Sequence, residues 1–176
     1  MSKVFIAGGA GLLGSNITGT QNICNSVSKL GLKKMVHVGT ANTFGFGTSE
    51  NPGNEEKPLT SAGYGLDYID SKHEVHHWIL DQIQEIQLPA TIVNPTFMLG
   101  PHDSKPSSGE MVRNFYLGNI PGFTPRTFPA LVNIAYDEQF FSSAKAVRDI
   151  DLHQTPIIQD IEESFNWLKD NNYLSK

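Results

Sequence analysis

Cysteine is nearly missing: Cys24 is the only one in 176 residues, so no disulfide can form within the chain. That usage fits a reducing compartment, and a cytoplasmic location is expected. Charge is also sparse. Charged residues make up 18% of the chain, with 13 Lys and Arg against 18 Asp and Glu and a formal net charge of -5. An acidic chain whose basic residues are dispersed offers no footprint for a phosphate backbone, so nucleic acid is not an expected partner. No apolar run approaches the ~20 residues needed to span a bilayer, and no membrane partner is expected. Lys3 and the apolar residues 4–7 have the outline of a secretory signal, but Gly8, Gly9, Gly11 and Gly14 break up what would be its apolar core. What remains is 39% hydrophobic and long enough to bury a real core.

The hydrophobic pattern alternates in type. Residues 4–7 form a short continuous apolar run that ends in glycine, as a buried parallel strand does. Residues 11–30 follow with apolar positions at helical spacing, weakened in the middle by Gly19 and Thr20, and Gly31 stands where a helix terminates. Residues 35–38 predict a second strand, 45–63 a loop, 64–86 a strong helix and 90–93 a third strand ended by Asn94-Pro95. Strand, helix, strand, helix, strand in this order predicts an α/β fold with a parallel sheet. Further helices are expected over 111–117, 143–150 and 157–171.

Three features carry candidate chemistry. Gly8, Gly11 and Gly14 recur every third residue between a predicted strand and a predicted helix. Glycine there permits a tight turn and close approach of a pyrophosphate to the backbone, and the free N–H groups and dipole of a helix start attract phosphate. The plain alternative is a tight turn. Tyr68 and Lys72 stand four apart on the second helix and so share a face. An ammonium beside a phenol favours the phenolate, which makes Tyr68 a usable acid/base near neutral pH; alone, such a pair is more often an ordinary helix surface. Thr40 follows the second strand, at the strand end where ligands bind in parallel sheets. A strand-end threonine bonded to backbone is the plain reading.

Together, Gly-x-x-Gly-x-x-Gly, a Ser/Thr after a central strand and Tyr-x-x-x-Lys on the next helix resemble the extended short-chain dehydrogenase/reductase family, in its NAD-dependent epimerase/dehydratase and dihydroflavonol-reductase-like branch. Residues 37–45 (HVGTANTFG) and 93–101 (VNPTFMLGP) are similar to that branch's two segments flanking the Tyr/Lys helix, and residues 141–146 through 174 to its C-terminal end. The resemblance implies a reduced Rossmann-like parallel sheet with flanking helices. It implies NAD or NADP as cofactor, held by Gly8, Gly11, Leu12, Leu13, Gly14, Tyr68, Lys72, Asn94, Pro95 and Thr96. Catalysis would fall to Thr40, Tyr68 and Lys72, on the hydroxyl or carbonyl carbon of a nucleotide sugar or similar alcohol or ketone. Residues 1–100 would form the shortened dinucleotide-binding core. Residues 101–176 would form a remnant of the substrate lobe with the C-terminal helices, the whole packing as one compact domain.

The chain departs from the family at two joins. After Ile17, residues 18–23 resemble the start of a much later helix, so the strand that would read the adenosine ribose is missing. The second join lies near residues 134–136, where much of the substrate lobe is missing. Strands added in one direction put both crossover helices on one face of the sheet. The other face then calls for cover, and a homo-oligomer is expected. The departures also support an alternative: a non-catalytic remnant, or an engineered miniature, with weak or no cofactor binding. A third reading comes from residues 73–77, which fit His-Glu-x-x-His. His73 and His77 would share a helix face, with Glu74 as base. A catalytic zinc needs a third protein ligand and the sequence offers none, so no metal is expected.

Overall fold

A computed structural model of the chain describes residues 4–8, 13–58, 67–103, 108–119 and 139–175. The element order is β1 (Val4–Gly8), α1 (Leu13–Lys29), β2 (Lys34–Val38), a 3-10 turn (Ala41–Thr43), α2 (Asp67–Ile86), β3 (Ala90–Val93), α3 (Gly109–Leu117), α4 (Ala144–Ile150) and α5 (Ile157–Asp170). The three strands form a parallel sheet in the order β1-β2-β3. The fold is α/β, with the strands added in one direction as the pattern predicted. The register aligns Gly8 with Val38 and Val38 with Val93, so all three strands end level.

The chain divides into two compact units, one of Met1–Thr96 with Phe128–Ala146 and the other of Phe97–Thr127 with Val147–Lys176. In the first, α1 and α2 lie on the same face of the sheet. Cys24 and Val27 of α1, Met35 of β2, Val75 and Ile79 of α2, and Leu88 form one buried cluster. Ala90 and Ile92 of β3 pack against it. Side chains alternate across a strand, so Val36, Val38, Thr91 and Val93 face away from the helices. Val36, Val38 and Val93 are half-buried and Thr91 is exposed.

The end of α1 is specified locally. Gly31 has φ +57°, Gly31 N–H donates to Ser28 O at 3.2 Å and Leu32 N–H to Val27 O at 3.1 Å. This is a Schellman closure with glycine in the left-handed position. Gly19 does not break the helix, and a Cβ there would meet nothing within 4 Å. The region read as a loop carries two isolated bridges, Gly47 to Phe140 and Gly53 to Phe141. The ring of Phe44 meets that of Phe141 edge-on at 5.5 Å.

In the second unit α3 packs on α5. Leu168 and Val112 are buried there. Arg113 Nε donates to Tyr173 O at 2.7 Å and pairs with Glu110 at 3.2 Å. Trp167 stacks on Tyr173 with centroids 5.4 Å apart. Among the described residues, no helix is long and apolar enough to cross a membrane.

Candidate active site at the strand ends

Gly8, Thr40 and Asn94-Pro95-Thr96 lie where the parallel strands end. β1 ends at Gly8 and α1 begins at Leu13, with Gly14 its second residue, so the glycine motif runs from strand end to helix start. Gly11 and Leu12 lie outside the described residues. Hydrogen bonding between the second and third strands continues past their ends, through Gly39 N–H to Val93 O at 2.8 Å and Ala41 N–H to Pro95 O at 3.0 Å. These bonds hold the Thr40 segment against Asn94-Pro95-Thr96.

Thr40 caps the 3-10 turn. Its backbone is extended (φ -154°, ψ 147°) and its hydroxyl oxygen accepts from Asn42 N–H at 3.4 Å. The bland role read for it in the sequence, a strand-end threonine bonded to backbone, is therefore present. Its carbonyl accepts from the Thr43 hydroxyl at 2.8 Å. Thr43 Oγ1 also lies 3.4 Å from His76 Nδ1. With the hydroxyl proton already donated to Thr40, Nδ1 is left as the donor of that contact. Thr43 and His76 thereby tie the Thr40 turn to α2, one helical turn beyond Lys72.

Tyr68 is the second residue of α2 and Lys72 lies one turn on, the i, i+4 relation expected; the Tyr68 side chain is outside the described residues. Lys72 is 6% exposed. Burial holds its pKa below the ordinary lysine value. His37 is 4% exposed, and burial, then the Lys72 charge, pushes its pKa down to about 4. His76 is likewise pushed down to about 4 by burial, then by His77, His73 and His37. Both histidines are neutral near pH 7, so among the described residues the positive charge beside His37 is that of Lys72. Sequence reasoning quoted His37 and His76 in other motifs and missed their place here. The signals were present: His37 stands two residues after the apolar Met35 on β2 and so shares its face, and His76 stands four residues after Lys72.

Gly39 was also missed. Asn94 Oδ1 occupies the space a Cβ on residue 39 would need, so the strand end admits only glycine if Asn94 is to lie there. Asn94 Oδ1 is buried without a hydrogen-bond partner among the described residues, as is His37 Nδ1. Unsatisfied buried polar atoms are costly and mark places where a polar ligand completes the set. His73 and His77 do share a helix face, but no group of three or more His, Cys, Asp or Glu among the described residues is arranged to hold a metal ion.

The NAD dependent epimerase/dehydratase family matches residues 5–127. The chain belongs to that family. Among curated relatives, the sterol demethylase protein B of Methylococcus capsulatus is 28% identical over 115 residues, which is 64% of this chain but only 34% of that protein. Two solved structures share the fold. A nucleoside-diphosphate-sugar epimerase from Pseudomonas aeruginosa has a TM-score of 0.76 at 16% identity, over 93% of this chain and 75% of that one. A dTDP-glucose 4,6-dehydratase from Bacillus anthracis, in complex with NAD, has a TM-score of 0.74 at 15% identity, over 97% and 74%. This member of the epimerase/dehydratase family thus spans about a third of the curated relative it matches.

Proposed function

We propose that the chain is an NAD(P)-dependent oxidoreductase or epimerase acting on the hydroxyl or carbonyl carbon of a nucleotide sugar or a similar alcohol or ketone. The observation that carries this reading is the meeting of the Thr40 segment with Asn94-Pro95-Thr96 at the level ends of parallel strands, tied through Thr43 and His76 to α2, the helix that bears Lys72. Ligands bind outside the carboxyl ends of strands in such sheets. The residues fit a nicotinamide cofactor: Gly8 and Gly14 at the strand-to-helix turn would hold its pyrophosphate, Lys72 its ribose, and the orphaned Asn94 side chain its polar edge. Such a group supplies the acceptor or donor of hydride.

The protein's own residues would move the proton. Tyr68 Oη takes the proton of the substrate hydroxyl as hydride leaves the carbon, and returns it in the reverse direction. Lys72 favours the phenolate form of Tyr68 by its charge. Thr40 donates from its hydroxyl to the reacting oxygen, and it is free to do so because its cap contact with Asn42 uses only its acceptor capacity. A screen of ketones and nucleotide sugars with NADH and NADPH tests the reading. Turnover that Tyr68→Phe removes, with cofactor binding retained, supports it; undiminished turnover in Tyr68→Phe refutes Tyr68 as the acid/base.

A second reading has its own observation. The sheet order β1-β2-β3 has no reversal of direction among the described residues, and such a reversal is where doubly wound sheets form their ligand crevice. On that reading the chain is a non-catalytic remnant with weak or no cofactor binding, and the screen yields no turnover.

A further inference from the structure

The His-Glu-x-x-His segment is not absorbed by the proposed chemistry, and its outer pair has a geometry of its own. His73 and His77 lie one turn apart on α2, with Nε2 to Nε2 at 2.9 Å and ring centroids 4.2 Å apart. His77 is exposed and His73 half-buried, so both ring edges are within reach of solvent. Two nitrogens each about 2.0 Å from one metal ion stand about 2.9 Å apart at a right angle and about 3.3 Å apart at a tetrahedral angle. The observed spacing is that of neighbouring corners of a square or octahedron. Imidazole nitrogen suits the later first-row divalent ions, whose affinities rise from nickel to copper and fall again at zinc.

The geometry points to a two-imidazole site on the outer face of α2 that takes a divalent transition metal, copper(II) ahead of nickel(II) and zinc(II), with water in its remaining positions. Without metal, the same spacing is an N–H···N hydrogen bond, in which one Nε2 donates and the other accepts. That bond holds both rings in place, so little ordering remains for the metal to impose. Both nitrogens must present lone pairs to the ion. The donor ring moves its proton from Nε2 to Nδ1 through water, and no net proton leaves. The site does not resemble the hydrolytic zinc centre that the motif suggests, because it has two protein ligands rather than three. Its effect is mechanical: a metal bridging His73 and His77 clamps the turn of α2 that follows Lys72. The proposal is independent of the dehydrogenase reading.

The test is a calorimetric titration of the full chain, purified without a metal-affinity tag, with copper(II), nickel(II) and zinc(II) in a weakly coordinating buffer. The expected result is one equivalent of copper bound with micromolar Kd, tighter than nickel and zinc, with a rise in unfolding temperature. Electron paramagnetic resonance of the copper form should show two equatorial imidazole nitrogens. His77→Asn should weaken copper binding at least tenfold and reduce the signal to one nitrogen, while His153→Asn leaves both unchanged. Copper binding unaltered in His77→Asn and His73→Asn overturns the site. So does a wild-type spectrum with no pair of protein nitrogens, a readout that needs no variant to fold.

Discussion

Acid should unfold this protein earlier than its carboxylates alone would require, because His37 and His76 are held neutral. Each has an ordinary value of 6.5 and stands at about 4 in the folded chain. The folded value is depressed. The unfolded chain therefore takes up protons first as pH falls, and stability that is complete above pH 6.5 is lost progressively down to pH 4. At about 1.4 kcal/mol per pH unit, a gap of about 2.5 units amounts to about 3 kcal/mol for a fully buried group. By pH 5 about 2 kcal/mol of it is gone. His37, at 4% exposed, should show nearly all of this, and the half-buried His76 less. Domains are stable by only 5–15 kcal/mol in total, so the loss is large enough to measure. The assay is urea unfolding at pH 7.0 and 5.0, for wild type and for His37→Gln with His76→Gln. The double variant should lose much less between the two pH values. An equal loss in both proteins, or a wild-type loss below about 0.5 kcal/mol, would refute the reasoning.

Two glycines should respond to alanine with opposite signs. Gly39→Ala drives a Cβ into Asn94 Oδ1, so that side chain must swing aside, and should cost up to about 1 kcal/mol in urea unfolding. Gly19→Ala meets nothing within 4 Å inside α1 and should add about 0.5–1 kcal/mol. Lys72→Met removes the buried ammonium and should abolish turnover while the protein still unfolds cooperatively; intact turnover would refute Lys72 as the group that tunes Tyr68. The sheet face bearing Val36, Val38 and Val93 should be covered by a second copy, so light scattering should report an oligomer, and a monomer at high concentration would count against it.

The sequence carried those parts of the fold that depend on local chemistry. The apolar run before Gly8, the helical spacing through α1 and the left-handed glycine after it are each set by near neighbours. So are the i, i+4 relation of Tyr68 to Lys72 and the strand end at Asn94-Pro95. The resemblance to the epimerase/dehydratase branch rested on those same segments, and the family match spans them. Contacts across long stretches of chain were not legible. Thr43 meets His76 across 33 residues, and nothing in the spacing of either announces it. Gly39 is required only because Asn94, on a different strand, turns its side chain into the space beside it. The 3-10 turn after β2 depends on the Thr40 cap and on the Pro95 carbonyl together. Its residues showed no helical period because three residues are too few to have one.

The central claim, that these strand ends still form a nicotinamide site, is tested most directly by calorimetric titration of the protein with NADH and with NADPH. Saturable binding of either, weakened in Lys72→Met, is the result this account predicts. No heat of binding from either cofactor up to millimolar concentration would contradict it and leave the non-catalytic reading standing.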